Sequence, residues 1–237
     1  MENLPLYLSV MMMLITALTV FIFYMAANRS KTVLFILAGW MILQTVISVQ
    51  GFYTVTTTLP PRFALTIVPP FVFIVLLFVT RKGRQFIASS NIKSLTLLHT
   101  VRIPVEIVLL GLFIYKTIPE IMTFEGRNFD ILSGLSAPVI YYFMFVRRKL
   151  PAALFLLWNI LCIGLLVNIV VTAVLAAPFP FQQLAFEQPN IAVLYFPFVW
   201  LPAVIIPLVL LSHLASMYQV IKNITSHSLN QAITLQH

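Results

Sequence analysis

His99, Arg102 and Glu106 stand three and four residues apart inside LTLLHTVRIPVEIVLLGLFIYK, a segment otherwise apolar and long enough to cross a bilayer. Residues three, four and seven apart stack on one face of an α-helix, so these ionisable groups form a single stripe. If the helix enters the membrane near Leu95, a rise of about 1.5 Å per residue puts His99 about 6 Å deep, Arg102 about 10 Å deep and Glu106 near the midplane. An arginine or an acid near the centre of a spanning helix costs about 2.5–3.5 kcal/mol. The stripe must therefore face other helices or a wet cavity, and the i,i+4 spacing predicts a direct Arg102–Glu106 pair. Such a set can move protons: a carboxyl near the midplane holds one, the guanidinium sets its charge state, and an imidazole connects it to the cytoplasm. Pro104 cannot donate to the Thr100 carbonyl, which favours a kink that widens the site. The plainer reading is a self-neutralised ion pair that only fixes helix packing.

Other spans supply companions. Asn168 shares a face with Thr172, and Gly164 permits close approach, so Asn168 is the preferred partner of the stripe; Asn159 points to the other side of that helix. Gln44 and Ser48, like Ser9, Thr16 and Thr19, read as ordinary hydrogen bonds between helices. His213 lies at a depth similar to His99. Two histidines on two helices can bracket a b-type haem iron, with Arg102 near a propionate, although a hydrogen-bonded histidine is the commoner role. Glu125, Arg127, Asn128 and Asp130 in TIPEIMTFEGRNFDILSG form a candidate outer mouth, and Asn128 or Asp130 suits the N-cap of the following helix. The plain alternative is a solvated loop. No metal-ligand spacing occurs, and Cys162, alone in an apolar run, reads as a small apolar side chain.

These groups need elements to hold them, and the composition determines which. Of 237 residues, 61% are hydrophobic and only 8% charged, too little polar surface to cover a soluble domain. The expected fold is all-α: a polytopic membrane bundle of about seven helices, near residues 5–26, 32–50, 63–80, 95–116, 129–146, 151–176 and 191–216. Pro69 and Pro70 interrupt the third, and Pro197, Pro202 and Pro207 the seventh. Residues 1–217 form one transmembrane domain, and 218–237 a short, poorly ordered cytoplasmic tail.

The bases sort by side. Arg29, Lys31, Arg81, Lys82, Arg84, Lys93, Arg147, Arg148, Lys149 and Lys222 follow alternate spans without an acid among them. Glu2, Glu120, Glu125, Asp130 and Glu187 lie on the other side. The positive-inside rule then puts the N-terminus outside and the C-terminus in the cytoplasm, most simply in a cytoplasmic (inner) membrane. Glu2 without a neighbouring base argues against a cleavable signal peptide. The net charge of +8 is a topology signal, not a nucleic-acid footprint. RKGRQFIASSNIK is expected to contact anionic headgroups. The last span has no lysine, so a retinal Schiff base is unsupported.

Three readings follow. The favoured one is a small transporter or proton-coupled carrier, with a proton or small molecule as ligand, because buried ionisable groups and broken helices are its usual signature. The second is a membrane-embedded enzyme acting on a lipid or isoprenoid. The third is a non-catalytic subunit, in a homo-oligomer or with a membrane partner, or a b-type haem protein.

Overall fold

The computed structural model describes residues 4–234, with side chains as far as Thr225; Glu2 of the charge pattern lies outside it. The described chain is all-helical, 73% helix without a strand. Helix α1 (Leu6–Ala26) starts after Pro5, and α2 (Lys31–Val49) is capped by the Ser30 hydroxyl, which accepts from the Val33 amide. Gly51, at φ +72°, ends α2 in the left-handed conformation that glycine adopts most readily. Helix α3 (Ala64–Val79) contains Pro69 and Pro70 and meets α4 (Arg81–Ser89) at 92°. Thr80 turns that corner by accepting the Gly83 amide at 3.1 Å. Gly83 is required there, because a Cβ would run into the Leu77 carbonyl.

Helix α5 (Ile92–Leu98), capped by Asn91, continues through a tight 3₁₀ turn at His99–Val101 into α6 (Arg102–Ile114). The turn contains Thr100, whose carbonyl Pro104, four residues on, cannot reach for want of an N–H, which weakens the helical ladder there. Helix α7 (Ile131–Tyr141) runs into a π turn at Tyr142–Val146, and α8 covers Ala152–Leu175. A second π turn, Leu201–Ile205, opens α9 (Ile206–Thr234). Among the described residues, five helices are long and apolar enough to cross a membrane, or six if the bent α3–α4 pair counts as one; residues Ile131–Val146 form a shorter apolar helix. The expected helix positions hold within a few residues, except that 191–200 holds only a short 3₁₀ turn, Ala192–Leu194, and the last long helix begins at Leu201. That helix does not stop at residue 217: Gln219 donates to the Ile87 and Ser90 carbonyls at 2.7 and 2.9 Å.

Large apolar side chains such as Phe35, Ile42, Val75, Leu157 and Val171 point outward, the inverse of a water-soluble bundle, and the protein is a membrane protein. The core forms where α1, α5, α6 and α9 meet, around Met12, Leu98, Val101, Leu109 and Val209. At one end, Asn28 donates to the Ser89 carbonyl and the Asn91 amide to the Ala26 carbonyl, and Arg81, Arg84 and Lys222 stand together beside Ser89. At the other end the loops around Thr117 and Ile191 are joined by backbone bonds.

Helix α2 repairs two proline breaks. Pro207 cannot donate to the Ala203 carbonyl four residues back, and the Trp40 indole donates to it at 2.9 Å. Pro69 likewise leaves the Leu65 carbonyl short of a donor, and Gln44 Nε2 lies 3.5 Å from it. Gln44 and Ser48 thus bond to other elements as expected, whereas the Thr16 and Thr19 hydroxyls donate to the Met12 and Ile15 carbonyls of their own helix.

Candidate functional site

The stripe is real and sits in the middle of the bundle. His99 is fully buried, and Arg102 and Glu106 are only 3% and 2% exposed. Its pairing, however, differs from the i,i+4 expectation. The counter-ion of Arg102 is Asp130, with Nη1 donating to Oδ1 at 2.9 Å. Glu106 instead accepts from Asn128 Nδ2 at 2.6 Å.

Local packing explains this choice. Asp130 heads α7, and Gly134 one turn later lets α7 close onto α6: a Cβ at 134 would stand 2.8 Å from Ile103 Cγ1 and 3.1 Å from its amide nitrogen. Asn128 stiffens the approach by accepting the Asp130 amide at 3.1 Å and donating to the Met122 carbonyl at 3.0 Å. The expected outer mouth therefore splits. Asn128 and Asp130 turn inward and are buried, while Glu125 and Arg127 stay exposed. Neither Asn128 nor Asp130 gives the helix a side-chain cap bond, since both are committed to the cluster.

The remaining partners come from α8 and α9. Arg102 Nη2 donates to His213 Nε2 at 3.2 Å, and Nη1 lies 3.5 Å from the Cys162 carbonyl. His213 Nδ1 lies 2.8 Å from Asn159 Oδ1, while Asn159 Nδ2 donates to the Phe155 carbonyl at 2.8 Å. This chain fixes the tautomer by assignment of donors. The Phe155 carbonyl takes the amide N–H of Asn159, so the amide oxygen faces His213; Nδ1 then carries hydrogen and Nε2 offers a lone pair to the guanidinium, which can only donate. Asn159, not Asn168, is the α8 companion. Asn168 is exposed and donates to the Arg127 carbonyl at 3.0 Å, and Gly164 opens onto space with no helix against it.

The two histidines stack face to face, with centroids 3.7 Å apart and planes 15° from parallel, and Trp158 meets each edge-on. With the rings stacked this closely, no porphyrin plane fits between His99 and His213 as they stand, and the arrangement lends the haem-ligand expectation no support. Among the described residues no group of three or more His, Cys, Asp and Glu side chains is placed to hold a metal ion.

Several polar atoms of the cluster are buried without a hydrogen-bond partner: both ring nitrogens of His99, Arg102 Nε, Glu106 Oε2 and Ser133 Oγ. Asp130 and His213 are both tied to Arg102. Glu106 and His99 are the titratable groups left with unused capacity, one on each side of the guanidinium along the helix.

A family model described as a domain of unknown function (DUF8737) matches residues 60–221, more than half of the chain, and so spans every residue of the cluster. No curated protein and no solved structure matches the chain.

Proposed function

The chain belongs to the DUF8737 family, and from the geometry of the buried cluster we propose that it is a proton-coupled membrane carrier. In this reading it spans the membrane seven times, with residues 64–79 and 131–146 as its two short spans. The N-terminus is outside and the C-terminus lies in the cytoplasm of a cell bounded by an inner membrane. The gathering of Arg81, Arg84 and Lys222 at one end supports that orientation.

The observation that carries the proposal is the unequal pairing around Arg102. One guanidinium is balanced by one carboxylate, Asp130, which leaves Glu106 with an amide partner and a buried oxygen that has none. A carboxyl in that position exchanges its charge by taking up or releasing a proton rather than by changing partners. His99, with both ring nitrogens unused, is the second exchange group, toward the cytoplasmic end. Arg102 holds a fixed positive charge between them, so a proton passes only when the helices move. The broken helices, α6 at Pro104 and α9 at Pro202 and Pro207, supply the places for that movement.

The test is proton flux into liposomes containing the purified protein and a trapped pH-sensitive dye, with the membrane potential clamped. Wild type is expected to carry protons and Glu106→Gln to lose that flux. Flux equal to protein-free vesicles, or unchanged in Glu106→Gln, overturns the proposal. The alternative of an enzyme acting on a lipid or isoprenoid draws on an apolar cleft between α2, α3 and α9, but no residue of the polar cluster lines that cleft.

A further inference from the structure

Two features outside the polar cluster share one helix. The first is the apolar cleft, about 450 Å³, among whose walls are Gly39, Trp40, Pro70, Phe73, Phe86 and Leu208. Its volume falls within the roughly 300–1,000 Å³ typical of sites that enclose small ligands. The second is a basic surface pocket of about 470 Å³, lined by Arg81, Arg84, Gln85, Ser89, Tyr218 and Lys222, with Ala88 at its wall. No acid lines it.

Helix α4 joins the two. Phe86 faces the cleft, while its neighbours Arg84 and Gln85 face the basic pocket. The 92° corner with α3 turns α4 across the end of the bundle, as a helix lying at the headgroup level would run. Arg84 is fixed by Nη1, which donates to the Phe78 and Val79 carbonyls at 3.1 and 2.8 Å, and Phe78 packs edge-on against Tyr218 of the pocket. A charged recess thus sits beside an apolar cleft, with one helix between them.

We propose that this is a binding site for one anionic phospholipid, with its phosphate on Arg81, Arg84 and Lys222 and an acyl chain in the cleft against Trp40 and Gly39. The basic residues recognise the negative headgroup, and the cleft takes a chain that a free anion lacks. Trp40 is also the donor to the Ala203 carbonyl, so the chain lies against the residue that supports the break in α9.

The test is native mass spectrometry of the full chain in mild detergent, incubated separately with dioleoylphosphatidylglycerol, dioleoylphosphatidylcholine or inorganic phosphate. A one-to-one phosphatidylglycerol adduct is expected, with phosphatidylcholine held much more weakly and phosphate not retained. Arg81→Gln with Lys222→Gln should weaken phosphatidylglycerol about thirtyfold, at about 1 kcal/mol per basic contact. Gly39→Leu should weaken both phospholipids, since Gly39 lines the cleft and a Cβ there meets nothing within 4 Å, so the added bulk takes up cleft space. Unchanged helical circular dichroism and thermal melting of each variant would show that the fold is kept. Equal retention of the two phospholipids overturns the headgroup assignment. Full retention by Gly39→Leu overturns the chain assignment, and phosphate bound as tightly as phosphatidylglycerol would make the pocket a free-anion site.

Discussion

Replacing Asp130 by Asn separates the observed ion pair from the one that helical spacing suggests. The Arg102 side chain is 3% exposed and that of Asp130 8%, so neither charge is solvated. Asn at 130 keeps an oxygen for Arg102 Nη1 but removes the counter-charge, leaving a buried guanidinium uncompensated at a cost of about 3–5 kcal/mol. Glu106→Gln is different, because glutamine offers the same acceptor oxygen to Asn128 Nδ2, and its cost should stay within about 1 kcal/mol. Arg102→Met alone should cost about as much as Asp130→Asn, by stranding the carboxylate. Combining the two removes both charges, and the double variant should be more stable than the sum of the singles by about 1–3 kcal/mol. Unfolding in mixed micelles, followed by circular dichroism, measures all four. A Glu106→Gln loss as large as that of Asp130→Asn, or strict additivity of the Arg102 and Asp130 changes, would refute the pairing.

Further outcomes concern the supports of the site. Asn159→Leu takes the acceptor from His213 Nδ1 and should destabilise by about 1–3 kcal/mol, measured by the same unfolding; no loss would mean that Asn159 does not orient the ring. Trp40→Phe should cost a similar amount, about 1–3 kcal/mol, by stranding the Ala203 carbonyl, and Pro207→Ala, which restores a backbone donor, should recover part of it. Equal losses with proline and alanine at 207 would contradict that role. Gly134→Ala should cost about 1–3 kcal/mol by pushing α7 from Ile103, and should move the histidine ring resonances by loosening Asp130 from Arg102.

Hydrophobic runs place most helices of this protein within a few residues, because a helix that crosses a bilayer needs about 20 apolar residues; the last, which begins at Leu201 rather than near 191, is the exception. The stripe was legible for the same reason: an arginine and an acid on one face of an apolar helix have few explanations. Their partners were not. The spacing of Arg102 and Glu106 permits a local pair, and nothing in the local pattern says that Asp130, 28 residues away, folds inward to claim the guanidinium. The polarity of 125–130 read as a solvated mouth because a loop's direction is set by packing, here by the fit of Gly134 against Ile103. Helix α8 is apolar all round, so its sequence carries no phase to prefer Asn159 over Asn168. The stacking of His99 on His213 depends on α9 packing against α5 and α8, and packing order is absent from hydropathy. One signal was available: His213 lies at a depth like that of His99, and the two do meet, as a stacked pair rather than across a metal.

Infrared difference spectroscopy of the protein in nanodiscs, titrated with pH, reads the central claim most directly, because a protonated carboxyl has its own C=O band. A titrating carboxyl band in the wild type that disappears in Glu106→Gln and persists in Glu125→Gln is the predicted result. A spectrum without such a band, or a band that Glu106→Gln leaves in place, would contradict the assignment of Glu106 as the group that exchanges a proton within the membrane.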